Sequence, residues 1–281
     1  MAVTTRTYGK STLELGGRTL IMGVLNVTPD SFFDGGKYNR LDLALSHARQ
    51  LVADGADIID VGGESTRPSS GAVPAEDELA RVIPIISEIK HNLRTPISVD
   101  TYKAEVARAA VAAGADIVND VGGLRFDAKM GAAIYETGAG CILMHNSDTR
   151  ERMHDPTDHR DVVESVLSDI RQKIAIAEAA GIPREKIIVD PGIGFAKSTH
   201  DCLVLHRRLP ELLSLGFPIL FASSRKRFIG DVLGLDKNDR LEGTIASCVI
   251  AALQGASIIR VHDVKEVVRA IKIVDAVRAA A

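Results

Sequence analysis

The sequence contains no tryptophan, and aromatic residues make up only 4% of it. Its core must therefore rest on Val, Ile, Leu and Ala, the side chains that suit parallel strands buried on both faces. Cysteine is equally scarce. Cys141, Cys202 and Cys248 stand far apart with no CxxC spacing, which excludes a disulfide framework and a thiolate metal site. Scattered, odd-numbered thiols suit a reducing compartment, and the cytoplasm is the expected location. No run approaches the roughly 18 apolar residues of a membrane span. The opening MAVTTRTYGK lacks the apolar stretch of a signal peptide. There is also no basic block: 34 Lys and Arg face 37 Asp and Glu, for a net charge of −3. Neither a nucleic-acid footprint nor a membrane-surface patch is present. A phosphate-binding P-loop and a Gly-x-Gly-x-x-Gly fingerprint are missing as well.

What the chain does have is a regular alternation. Apolar runs at 19–25, 57–61, 96–99, 116–118, 140–144, 187–189, 218–222 and 257–261 read as eight strands. Between them, apolar residues recur at three- and four-residue spacing near 41–54, 75–92, 103–113, 127–137, 159–180, 199–209, 239–253 and 264–278. Strands alternating with helices indicate βαβ units and a parallel sheet. Eight units in 281 residues suggest one α/β domain, a (β/α)₈ TIM barrel spanning 1–281. Gly16-Gly17 lies between short polar-apolar segments and predicts a small N-terminal β-hairpin, placed to plug the barrel bottom. A weak repeat supports the units: GADIIDVGG at 55–63, GADIVNDVGG at 114–123 and GASIIRV at 255–261. In each, a Gly between helix and strand is the expected left-handed helix stop.

Catalytic groups of such barrels come from the C-terminal ends of the strands. There the sequence offers Asn26, Asp60, Asp100, Asn119, Met144-His145, Asp190, Ser224-Arg225-Lys226, and Arg260 with His262. The strand starts are duller. Any one Asp or Asn after a strand can be a helix cap, and for Asp60 the cap reading is favoured, since Gly62-Gly63 and Glu64 nearby could equally form the turn. His145 reads equally as a surface residue or a ligand. The convergence is the signal. Asp100, Asn119 and Asp190 suit a flat, nitrogen-rich heterocycle whose amidine-like edge pairs with carboxylates. Lys226, Arg67, Arg260 and His262 form a positive set suited to phosphate, and Asn26 offers an oxygen to Mg²⁺ alongside phosphate oxygens. The loops 26–38 and 62–71 are rich in Gly, Pro, Ser and Thr. Phe32 and Phe33 in the first have the apolar surface to cover an aromatic substrate.

The segments GVLNVTPDSFFDGG (23–36), GADIIDVGGESTRP (55–68), ISVDT (97–101), IVND (117–120), LMH (143–145), VDPGIGFAK (189–197), SRKRFIG (224–230) and IIRVHD (258–263) resemble the dihydropteroate synthase family, in order and spacing. The resemblance implies a pterin-binding barrel, active as a homodimer, that joins p-aminobenzoate to a dihydropterin diphosphate with Mg²⁺. It implies a pterin held by Asp100, Asn119, Asp190 and Lys226, with Met144 and Phe195 on its faces. It implies a diphosphate met by Arg260, His262, Thr66 and an Asn26-held Mg²⁺, and a p-aminobenzoate pocket framed by Phe32, Arg67, Pro68, Lys226 and Ser224. Asp100, Lys226 and Arg67 are its implied catalytic residues. Two positions depart from the pattern: Ala196 where many members have Gly, and Arg227 where Ser is more usual. The alternative is a corrinoid methyltransferase barrel, which shares the DPG-like segment but lacks the paired loops.

Overall fold

A computed structural model describes residues 3–28, 37–65, 71–147, 149–155 and 157–280. The chain opens with an antiparallel hairpin, β1 (Thr4–Tyr8) and β2 (Ser11–Leu15). Eight parallel strands follow: β3 (Leu20–Asn26), β4 (Ile58–Gly62), β5 (Ile97–Asp100), β6 (Ile117–Asp120), β7 (Gly140–Met144), β8 (Ile187–Asp190), β9 (Leu220–Phe221) and β10 (Ile258–Val261). Each pairs with its sequence neighbour from β3 to β8, and β10 lies between β3 and β9. The ring closes where Val189 bridges Ile219 and donates from its N–H to Pro218 O at 3.0 Å. This is the expected (β/α)₈ barrel with its hairpin.

Around it run α1 (Lys37–Ala53), α2 (Ala75–Asn92), α3 (Ala104–Ala113), α4 (Met130–Thr137), α5 (Val162–Ala179), α6 (Thr199–Arg207), α7 (Arg227–Leu233), α8 (Leu241–Leu253) and α9 (Val264–Ala279). The sequence repeat is a structural repeat. Gly55, Gly114 and Gly255 all have positive φ, and the next amide reaches back five residues in each: Ala56 to Leu51, Ala115 to Ala110, Ala256 to Ala251. That geometry satisfies carbonyls the helix end leaves free. Asp161 caps α5 through Val163 N–H, and Ser198 with Asp201 forms a capping box on α6. No helix among the described residues is long and apolar enough to cross a membrane.

Strand residues alternate strictly between two cores. Ile59, Val61, Ile97, Val99, Val118, Cys141, Leu143, Ile187, Val189, Ile259 and Val261 face outward into the layer under the helices. Met22, Ile58, Ile117, Ile142, Ile188, Leu220 and Ile258 face inward and pack with Tyr8, Leu13 and Leu15 of the hairpin. The hairpin thus plugs the bottom as expected. Tyr8 is fully buried there, and a Cβ on Gly140 would collide with its ring. Because the period is two, the next inward residue on each strand sits one layer higher. Ile58 is followed by Asp60, Ser98 by Asp100, Ile117 by Asn119, Ile142 by Met144, Ile188 by Asp190, and Ile258 by Arg260.

Candidate active site

That upper layer surrounds a hollow of about 360 Å³, measured with its open mouth. Asp100, Asn119, Met144, Asp190, Phe195, Lys226 and Arg260 all line it. Seven sequence-selected residues therefore meet at one place. Ser224 and His262 adjoin one another, with Ser224 Oγ 3.0 Å from His262 Nδ1 and accepting from His262 N–H at 3.2 Å. Asn26 ends β3 in register with Gly62, and a Cβ at Gly62 would touch both Asn26 Oδ1 and Asp100. Phe32, Thr66, Arg67 and Pro68 lie outside the described residues.

The floor is an ion cluster. Arg260 donates from Nε to Asp60 Oδ2 at 2.6 Å and from Nη2 to Asp100 Oδ2 at 2.8 Å. Asn119 Nδ2 donates to the same Asp60 oxygen at 3.2 Å. Asp60 is therefore not the helix cap beside a turn that the sequence suggested. It is fully buried, points inward below the hollow, and orients Arg260 and Asn119 from beneath. The signal for it was available: Ile58-x-Asp60 has the same inward alternation as Ile188-x-Asp190. Burial with opposite charges at hydrogen-bond distance is stable only when every partner stays in place.

Electrostatics set the protonation of the hollow. Burial pushes Asp100 up to about 7, against the pull of Arg260 and with repulsion from Asp60 adding to it. Burial likewise raises Asp190 to about 6, although Gly192 N–H donates to its Oδ1 at 2.7 Å and Lys226 favours its charge. Lys226 falls to about 8 through burial and repulsion from Arg260. Its ammonium stands 3.9 Å over the Phe195 ring, a cation–π contact. Burial opposes the charge of Arg260, but Asp60 and Asp100 outweigh it and hold Arg260 above its usual range. His262 drops to about 3, through burial and then repulsion from Arg260 and Arg225. It is therefore neutral at pH 7, an N–H donor rather than the cation the sequence suggested.

Two buried lysines grip the end of β7 from outside the hollow. Lys173 Nζ donates to Met144 O at 2.7 Å and Asn146 Oδ1 at 3.2 Å, and pairs with Asp169 at 2.8 Å. Lys197 Nζ contacts His145 Nδ1 at 2.7 Å. His145 is thus a buried residue, neither on the surface nor lining the hollow. A third group, beside β4, ties three loops: Glu64 pairs with Lys103 and Arg150 and accepts from Tyr102 Oη at 3.1 Å. Sequence reading passed over these charges, because a lone Lys or Glu in an amphipathic helix or loop is usually solvated. The two departures also resolve. Ala196 has a φ of 49°, the left-handed conformation that explains why glycine suits the position. The Arg227 side chain is 86% exposed and pairs with Asp231 at 3.4 Å, so it points to solvent.

A model of the pterin binding enzyme family matches residues 22–262. The dihydropteroate synthase of Bacillus subtilis is 49% identical over 266 residues, 95% of this chain and 91% of that one. The Xanthomonas albilineans dihydropteroate synthase solved with 4-aminobenzoic acid superposes with a TM-score of 0.92 at 42% identity, over 99% and 100% of the two chains. The same enzyme solved with 7,8-dihydropteroate gives a TM-score of 0.89 at 40% identity and the same coverage.

Proposed function

This chain belongs to the dihydropteroate synthase family, and on that premise we propose how its hollow divides the work of the reaction. The reaction condenses p-aminobenzoate with (7,8-dihydropterin-6-yl)methyl diphosphate and yields 7,8-dihydropteroate and diphosphate. Asp190 and Asn119 take the N–H-rich edge of the pterin, as the acceptors and the amide of the hollow allow. Met144 and Phe195 enclose its faces. Lys226, beside Asp190 and over Phe195, donates to a ring oxygen or nitrogen. Asp100 lies closest to Arg260 and the Asn26 rim, where the methylene carbon and its departing diphosphate would sit.

As the carbon–oxygen bond to diphosphate breaks, positive charge grows on the methylene. Asp100 stabilises it electrostatically. Ionised Arg260 and the N–H of neutral His262 face the departing anion, with Thr66 contributing from its loop. The arylamine of p-aminobenzoate then forms the carbon–nitrogen bond and releases one proton. No strong base is needed, since an arylamine is already nucleophilic. Phe32, Arg67, Pro68 and Ser224 frame its pocket in this reading, and Arg67 answers its carboxylate.

Asn26 Oδ1 has no hydrogen-bond partner among the described residues and faces the Gly62–Asp100 rim. One free amide oxygen fits Mg²⁺, which takes few protein ligands and completes its shell with phosphate oxygens and water. Asn26 would hold the ion, and the bound ion supplies charge neutralisation of the leaving diphosphate.

We also propose a homodimer. Ile250 and Leu253 on α8, and Ile273 and Val277 on α9, are large apolar side chains left exposed on helices that pack together. A cytoplasmic setting is supported by three buried, free cysteines. The observation that carries the reading is the meeting of seven residues from strand ends and the loops after them around one hollow. Its test is diphosphate release with both substrates and Mg²⁺. Release that depends on p-aminobenzoate and matches dihydropteroate formed is the expected result; folded protein giving no product would sink it.

A further inference from the structure

Lys197 is a buried cation with no carboxylate in ion-pair range among the described residues. Its ammonium has three N–H groups and three acceptors: His145 Nδ1 at 2.7 Å, Gly192 O at 3.0 Å and Phe195 O at 3.0 Å. The count is complete, so nothing is left for solvent or substrate. Burial lowers the Lys197 ammonium to about 7; while charged it can only donate, so His145 Nδ1 accepts and the ring proton sits on Nε2. Burial and the nearby lysines keep that imidazole well below its usual range, in agreement with a neutral ring.

The segment Pro191–Lys197 explains why a cation is needed. Gly192, Gly194 and Ala196 all have positive φ, at 66°, 77° and 49°. This winding turns two carbonyls, those of Gly192 and Phe195, toward one interior point. Two buried carbonyl oxygens converging without a donor would repel and stay unsatisfied. Lys197 supplies the donor. Its third bond reaches across to His145, on the adjoining β7 loop, whose own N–H donates to Asp190 O at 2.9 Å. A Cβ at Gly192 would collide with His145 O, so the two loops are already at closest approach there.

The other side of this segment is the wall of the hollow. Gly192 N–H fixes the Asp190 carboxylate, and Phe195 carries its ring under Lys226. Each residue therefore offers one face to Lys197 and the other to the substrate space. We propose that Lys197 is a positioning residue of the pterin site, a buried staple that sets Asp190 and Phe195 by holding the Gly192 and Phe195 carbonyls to His145. This rests on the pterin reading of the hollow. Lys197 touches no substrate, and its effect passes entirely through the loop.

The test compares wild type, Lys197→Met and Lys197→Gln. The methionine keeps the length and removes every N–H. The glutamine keeps two N–H groups without the charge, and serves if the methionine variant does not fold. Binding of 6-hydroxymethyl-7,8-dihydropterin is read by calorimetry, turnover by diphosphate release, and the His145 ring by ¹⁵N NMR, assigned with His145→Gln. In Lys197→Met the pterin Kd and the KM for the pterin diphosphate rise at least tenfold. The KM for p-aminobenzoate stays within twofold. His145 shows an unprotonated Nδ1 that accepts a hydrogen bond in wild type, and its Nδ1 shift changes once the Lys197 donor is gone. A merely structural role would lower stability without splitting the two KM values or changing the His145 Nδ1 shift. A folded variant that binds the pterin within twofold of wild type, or a wild-type His145 protonated on Nδ1, overturns the staple. If wild type binds no pterin, the functional reading fails, and the His145 spectrum alone decides the staple.

Discussion

The two ends of the barrel are built from the same strands and obey opposite rules. At the bottom, Ile58, Ile117, Ile142, Ile188 and Ile258 close over Tyr8, Leu13 and Leu15 with no charge among them. One inward residue higher, the same strands carry Asp60, buried beneath the hollow, and Asn119, Met144, Asp190 and Arg260 around open space. The lower layer is a packed core whose strength is burial. The upper layer holds carboxylates and a lysine displaced from their ordinary pKa values by that same burial. A site that must bind a charged, hydrogen-bonding ligand cannot also be an optimal core. The barrel separates the two tasks by about one pleat, and the hairpin lets the bottom carry stability for both.

Breaking the upper layer should cost function first. Lys226→Ala is expected to lower kcat/KM by about 10²–10³-fold, the scale of losing one preorganised charge contact. Its thermal midpoint should change little, because a buried cation shifted toward neutrality adds no stability. Arg227→Ala, next in sequence but solvent-facing, should leave turnover within twofold. Steady-state kinetics on the pair separates the hollow from its surroundings.

Breaking the bottom should do the reverse. Tyr8→Ala removes a fully buried ring from the plug and is expected to cost about 3–5 kcal/mol of stability, read by urea unfolding. The KM values of the folded variant should stay at wild-type levels.

Protonation gives a gentler probe. Asp190 accepts pterin N–H groups only as a carboxylate, and its pKa is raised to about 6. Affinity for 6-hydroxymethyl-7,8-dihydropterin should therefore weaken as pH falls through 6 and level off above 7. A flat calorimetric profile from pH 5 to 8 would refute the assignment. The hydroxymethyl compound avoids the titration of the diphosphate itself.

The smallest effect is expected at Ala196, whose φ of 49° is a strained value for an alanine. Ala196→Gly relieves the strain and adds freedom to the unfolded chain, so the two nearly cancel. The net change should lie within about 1 kcal/mol by thermal unfolding, with the pterin KM unchanged.

Much of this architecture is legible in the sequence because it follows from short-range rules. Eight apolar runs mark the eight strands, and Gly55, Gly114 and Gly255 mark helix ends that need positive φ. The residues closing each run identified the hollow, since period-two alternation carries them inward. Other features are set by contacts far apart in sequence. Strand β9 keeps only Leu220 and Phe221 in register because the barrel closes on one bridge, Val189 to Ile219. Helix α7 is seven residues inside a segment that reads as binding residues, too short to show a period. Asp60 looked like a helix cap beside a turn because Gly62 and Gly63 follow it, yet its partner Arg260 is 200 residues away. Lys197 and Lys173 look solvated until the loop carbonyls that bury them are in place.

The contrast between the two ends reduces to one strand. Ile188 and Asp190 on β8 point to the same interior, two residues apart. The most direct measurement takes kcat/KM and unfolding free energy for Ile188→Ala and Asp190→Ala side by side. Ile188→Ala is expected to lose about 2–5 kcal/mol and keep the kcat/KM of its folded fraction. Asp190→Ala is expected to keep its stability and lose turnover by at least about 10²-fold. A destabilised, active Asp190→Ala beside a stable, inactive Ile188→Ala would contradict the account.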